Sequence, residues 1–435
     1  MTAVTHLQNL IRLNTSNPPG NEILAAQYLS NVLSQAGYEP QIVESAPGRG
    51  SVVARFRGDG SQRPLLLYNH LDGVPVEKDK WSRDPFGGDL HEGYVWGRGA
   101  LDMKNVVTQQ LMVMLRLAAE RPRLRRDVIF AGCADEEVGG EFGLKYLVRA
   151  HRDLVDAEMG LSETGAFPLY VNDKAIYPIQ CGERGTCRLI LRASASPGHG
   201  ASPNYSNYAI RFLAIAIERL TSGRLPTHIT PTLQNALRQL APVLDQDAAA
   251  LTDPARLDEL LPTLPYPFIR DLIRNVTSNS AAPTLLRAGV KINVVPSVAE
   301  VELDGRMLPG QTNGDLMAEV AAAIGSDLPV EIIHVPEFDS PALERPSAGP
   351  LWEALVRNLR KHDPKAIIIP ILLAGGTDAK HLEPLNVQTY GFSPMHYPPE
   401  FDWRGLVHGH NERLPVVALD WGIRVLYDTV MDLCV

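Results

Sequence analysis

Residues 126–140, RDVIFAGCADEEVGG, decide how the rest of the chain is read. The run from Val128 to Cys133 is apolar or small without alternation, the pattern of a strand covered on both faces. It ends in three successive acids, Asp135, Glu136 and Glu137, followed by two glycines that break regular structure. A doubly covered strand closed by acids suits an open α/β sheet, whose ligands gather outside the carboxyl ends of its strands. Consecutive residues at a strand end point in different directions, so Glu136 and Glu137 are expected to do different jobs. One could ligate a metal while the other serves as general base; the plainer alternative is a solvated acidic turn.

Working outward, GSVVARFRG (50–58) and PLLLYNHLD (64–72) read as strands. NVVTQQLMVMLRLAAE (105–120) and GLKYLVRAH (143–151) read as helices. The same character returns in AIIIPILLAGGTDAKHL (366–382), VQTYGF (387–392) and the closing helix VVALDWGIRVLYDTVMDL (416–433). Strands alternating with amphipathic helices predict an α/β layer around a largely parallel sheet. Between the two parts, CRLILRASA, an amphipathic helix, two alternating strands in AGVKINVVPSVAEVELDGRMLP, a second helix and PVEIIHV follow a strand-helix-strand-strand-helix-strand order. That order predicts a ferredoxin-like α+β domain inserted into the first, interrupted by a Pro- and Leu-rich helical stretch at about 225–283. The expected boundaries are 1–187, 188–338 and 339–435.

Length agrees with this division, since 435 residues exceed what one core usually holds. A net charge of −9 without a dense Lys/Arg run argues against a nucleic-acid partner. No apolar run reaches membrane-spanning length and no signal-peptide pattern opens the chain, so a cytoplasmic protein is expected. The four cysteines, Cys133, Cys181, Cys187 and Cys434, lack CxxC spacing, which fits a reducing compartment and signals neither a disulfide framework nor a thiolate zinc site. Cys133 lies inside a strand, where an inert buried thiol is expected rather than a nucleophile.

Five stretches place acids or imidazoles next to strands. In LLLYNHLDG, His70 and Asp72 project to one side of an extended chain, so Asp72 is able to orient the imidazole for a metal. In VWGRGALDMKN, Asp102 precedes a helix, where an N-cap is the alternative role. Its GRG is no phosphate loop, because the Lys-Ser/Thr ending and the dinucleotide spacing are both missing. DEEVGG is the opening pair, and Glu163 in MGLSETGAF again follows a short apolar run. In LVHGHNERLPV, either His408 or His410 is able to bind a metal.

Taken in order, HLD, GRGALDMKN, DEEVGG, SETG and VHGHNE resemble the M20 family of co-catalytic metallopeptidases over nearly the whole chain. The resemblance implies that His70 and Glu163 hold one divalent ion, Glu137 and His408 the other, and that Asp102 bridges them. It implies Glu136 as general base and Asp72 as the acid behind His70. His408 matches the family's last ligand by its distance from Asn411 and Glu412, with His410 the alternative. A set of nitrogen and oxygen donors suits Zn²⁺, with Co²⁺ or Mn²⁺ as substitutes.

The resemblance extends to the insert. His199 in SASPGHGASPN matches the histidine that the family reaches across a dimer to stabilise an oxyanion. Asn293 and Arg306, in KINVVPSVAEVELDGRMLPG, match substrate-carboxylate contacts, a task suited to a guanidinium. Arg184, at a position that is often lysine, and Gly376 and Thr377 in AGGTDA are further contact candidates. The long stretch at 225–283 resembles the extended lid of the carboxypeptidase S-like branch, or simply thickens the surface. These marks imply a homodimeric hydrolase cleaving a peptide or N-acyl bond beside a free carboxylate. A carboxypeptidase or dipeptidase, an N-acyl-amino-acid deacylase, and a non-catalytic metal-holding protein are the readings left open.

Overall fold

In the computed structural model, which describes residues 1–435, the apolar runs become the middle of one sheet. Its strands follow the order Gln41–Ala46, Arg49–Phe56, Arg126–Cys133, Gln62–His70, Met159–Ser162, Gln388–Gly391 and Lys174–Glu183. The four central pairing partners, from Arg126–Cys133 to Gln388–Gly391, run parallel, and the strands outside them pair antiparallel. Side-chain alternation explains the unbroken apolar runs. Leu65, Leu67, Val128 and Phe130 pack with helices Ile23–Gln35, Lys104–Glu120, Pro350–His362 and Val416–Cys434. Leu66, Tyr68, Ile129 and Ala131 face the other way, against Leu144, Leu147 and Leu382. Both faces of each strand are therefore dry.

By contacts the chain forms two units, Met1–Cys181 with Arg345–Pro370 and Thr377–Val435, and Gly182–Glu344 with Ile371–Gly376. The second is built on an antiparallel sheet ordered Ser280–Ala288, Val298–Met307, Gly185–Ser194, Val330–Ser340. Helices Ala209–Ser222 and Asn313–Ile324 cover one of its faces through Leu213, Ala216, Leu316 and Val320. Four short helices between Pro231 and Arg274 fill the interrupting stretch.

One strand differs from the sequence reading. The outer partner of Val298–Met307 is Ser280–Ala288, whereas KINVV contributes only Val294–Val295, paired with Gly198–His199. Pro283 hid the strand; the pairing register shifts beside it, and an edge strand tolerates a residue that cannot donate to the ladder.

Candidate metal centre and active site

Parallel strands deliver the acids and imidazoles to one end of the first unit's sheet. His70 is the last residue of Gln62–His70, Glu136 and Glu137 follow Arg126–Cys133, and Glu163 follows Met159–Ser162. Asp102 sits just before helix Lys104–Glu120, but its side chain does not cap that helix, so the N-cap role fails. His408 arrives from the opposite end of the sequence. Strand Arg413–Pro415 pairs with Tyr94–Trp96, and Gly97 N donates to Glu412 O, which ties the 408–412 loop to the Asp102 loop.

The donors fall into two groups of three, His70–Asp102–Glu163 and Asp102–Glu137–His408, in each of which the ligand atoms lie within 4.8 Å of one another. Asp102 belongs to both: Oδ1 is 3.1 Å from His70 Nε2 and Oδ2 is 3.0 Å from His408 Nε2. Glu163 Oε2 is 3.8 Å from His70 Nε2, and Glu137 Oε2 is 3.2 Å from His408 Nε2. His70 turns Nδ1 towards Asp72, 3.3 Å from Oδ1. His410 lies outside both groups, with Nε2 3.3 Å from Glu77.

Asp72 is also the hub of the glutamate loop. Its two oxygens accept from the backbone N–H groups of Glu136 and Glu137, and Oδ2 accepts from Asn17 Nδ2. Asp135, in the left-handed region at φ 75°, is held by Asn17 and Arg49. Gly140 closes the turn at φ +72°, where a Cβ would stand 2.6 Å from Asp378 Oδ1.

Electrostatics shows what the cluster lacks. Burial opposes charge on His70, yet hydrogen bonds to Asp102, Asp72 and Glu163 outweigh it and hold the imidazole well above its usual range. Asp102 and then Glu137 hold His408 up to about 10. Burial, then the charge of Glu163, raises the Glu136 carboxyl well above the carboxylate range. Glu137 Oε1 is buried without a hydrogen-bond partner. Three carboxylates against two imidazoles in the two triads, with an orphaned oxygen among them, fit divalent cations, which would replace the imidazole protons and satisfy that oxygen.

The family model described as Peptidase family M20/M25/M40 matches residues 66–432. The chain belongs to this family. Its relatives include the N-fatty-acyl-amino acid synthase/hydrolase PM20D1 of Bos taurus, 26% identical over 93% of this chain and 81% of that one. Another is aminoacylase-1 of Sus scrofa, 27% identical over 95% and 90%. Among solved structures, the M20 family metallo-carboxypeptidase Sso-CP2 from Sulfolobus solfataricus superposes with a TM-score of 0.71 at 18% identity, covering 99% of this chain and 98% of that one. The Bacillus subtilis YXEP protein, described as a dinuclear metal binding peptidase from the M20 family, gives 0.61 at 14% identity over 98% and 96%. This chain is thus an M20 hydrolase, with two candidate metal-ligand groups in its first unit.

The remaining candidates of this M20 chain belong elsewhere. His199 and Asn293 are exposed neighbours in the second unit, where Gly200 N donates to Asn293 O. Arg184 donates through Nε to Ala374 O and through a terminal nitrogen to Ser280 Oγ. Burial, then the nearby charge of Arg306, lowers its pKa to about 10. Arg306 itself forks onto Asp304. Gly376 ends the second unit's last segment, while Thr377 is buried in the first unit and caps helix Asp378–Leu385 by accepting from Ala379 N.

Sequence reasoning missed Glu412 as a working residue. It is 0% exposed, accepts from the N–H groups of Gly99, Leu101 and Asp102, and pairs with Arg98 at 2.6 Å. Its only sequence signal is its place after HGHN.

Proposed function

We propose that this chain is a two-zinc amidohydrolase cleaving a peptide or N-acyl bond beside a free carboxylate. The observation that carries the proposal is the pair of donor triads sharing Asp102, with Glu136 next to a proposed ligand but in neither triad. His70 and Glu163 would hold one ion and Glu137 and His408 the other, with Asp102 between them. Two divalent ions supply Lewis-acid polarisation of the amide and lower the pKa of water to near neutrality. Glu136 takes the proton of the attacking water and returns it to the leaving nitrogen. Asp72 positions both partners, His70 by its ring and Glu136 by its backbone. Positive charge at the neighbouring carboxylates would bring the raised Glu136 pKa down into the range a proton shuttle needs.

Arg184 and Arg306 are proposed carboxylate contacts, a task suited to guanidinium groups. His199 and Asn293 are proposed to assist at the amide oxygen and the carboxylate, and Gly376 and Thr377 to offer further contacts; the capping role of Thr377 makes it the weakest of these. The second unit is proposed to mediate a homodimer. Its edge strand Ser280–Ala288 and the residues after it leave Leu286 63%, Val290 100% and Ile292 102% exposed. No helix is long and apolar enough to cross a membrane, and the four free cysteines fit the proposed cytoplasmic setting.

A carboxypeptidase or dipeptidase and an N-acyl-amino-acid deacylase differ only in what lies on the acyl side. The names of the PM20D1 and aminoacylase-1 relatives favour weighing the second as seriously as the first. Zinc-loaded protein should release amine from a panel of dipeptides and N-acyl amino acids, and lose that activity when the substrate carboxylate is amidated. Equal rates on the amidated panel would refute the free-carboxylate requirement, while the preferred acyl side separates the two readings.

A further inference from the structure

The second unit holds a donor cluster of its own. Cys187 lies on Gly185–Ser194, and His334 and Asp339 on the neighbouring edge strand Val330–Ser340. One ligand atom from each lies within 4.8 Å of the other two. Regular pairing would not assemble them. The register passes from Arg188↔Val335 directly to Thr186↔Ser340, so two steps along one strand span five along the other. The surplus residues bulge opposite Cys187, and the bulge returns Asp339 to His334, Oδ2 to Nε2 at 2.8 Å. Asn313, the first residue of its helix, reaches the same point with Nδ2 2.6 Å from Asp339 Oδ2 and 3.3 Å from His334 Nε2.

Two observations give the cluster a purpose beyond a hydrogen-bonded pair. Asp339 Oδ1 is buried without a partner, although its carboxylate sits beside three other polar side chains. The donors are also layered: Cys187 is 0% exposed, whereas the side chains of His334 and Asp339 are 27% and 23% exposed. An ion from solvent would meet the imidazole and carboxylate first and find the sulfur beneath them. A nucleophilic Cys-His-Asp arrangement does not fit, because a thiol with no exposed surface cannot meet a substrate.

We propose that Cys187, His334 and Asp339 form a Zn²⁺ site in the second unit, separate from the His70–His408 cluster, with water in fourth place. Sulfur, nitrogen and oxygen together select zinc over magnesium or calcium, and three protein ligands with one open position suit its tetrahedral preference. On binding, the Cys187 thiol releases its proton to solvent as the zinc–sulfur bond forms, and no electrons change hands. The ion clasps the bulged edge strand to its neighbour.

Cobalt distinguishes this site from the first, whose donors include no sulfur. Full-length protein stripped by a chelator and titrated with Co²⁺ should develop a near-ultraviolet thiolate-to-cobalt band that saturates at one site per chain. Cys187→Ser should abolish it, and Asp339→Asn should weaken the Co²⁺ affinity of that band at least about tenfold. Absence of the band in folded wild-type protein, or its survival in Cys187→Ser, overturns the proposal. Should Cys187→Ser fail to fold, His334→Ala at the partly exposed position replaces it: loss of the band supports the site, and a band of unchanged affinity overturns it.

Discussion

Glu412 shows how a residue with no chemistry of its own governs a proposed metal ligand. Three backbone N–H groups of the loop carrying Asp102 end on its two oxygens, and Arg98 neutralises it in a fully buried setting. Glu412→Ala would leave Arg98 charged and unpaired and release the loop. It should destabilise the protein by roughly 3–5 kcal/mol in denaturant unfolding and weaken metal binding as well. Little in the sequence announces this, because its partners lie more than 300 residues earlier in the chain. The candidate ligands were easier to read: acids and imidazoles at the ends of apolar runs stand out against their surroundings. The proposed division between the twin glutamates also gives a residue-scale test. Glu137→Gln should lower metal content by about one ion per chain relative to wild type, as well as stopping hydrolysis; unchanged metal content would remove Glu137 from the ligand set.

Among the elements, helix Asp378–Leu385 carries a pH dependence. His381 Nε2 lies 3.2 Å from Gly139 O, behind the glutamate loop, and burial, then Lys380 and Lys145, lowers its pKa to about 4. A histidine held neutral in the fold but free to ionise when unfolded contributes stability that is full above its unfolded pKa of about 6.5. That stability is lost as pH falls through 4, because the unfolded chain then binds more protons. The loss reaches about 3 kcal/mol. His381→Gln should therefore show a flatter stability curve between pH 6.5 and 4 than wild type in parallel denaturant titrations, and parallel curves would contradict the assignment. The parallel strands were legible because covering both faces of a strand demands an unbroken apolar run. Ser280–Ala288 was not, since a proline at a register shift looks like a strand breaker when its edge position is unknown.

At the scale of the whole molecule, alternating α/β signals interrupted by a strand-helix-strand-strand-helix-strand segment carried the two-part organisation. What spacing could not supply was the exposed apolar surface proposed for the dimer, because exposure of Leu286, Val290 and Ile292 depends on the edge strand to which they belong or which they follow. If the homodimer forms and the partner subunit's His199 acts on the substrate, mixing inactive His199→Ala chains with inactive Glu136→Gln chains should restore part of the activity. No recovery after verified subunit exchange would place the histidine in its own subunit or outside catalysis. A two-metal amidohydrolase with Glu136 as its proton carrier is tested most directly by measuring metal content and amine release together in Glu136→Gln. Metal content should match that of wild type while turnover falls by about 10²–10⁴-fold; near wild-type turnover at full metal loading would contradict that mechanism.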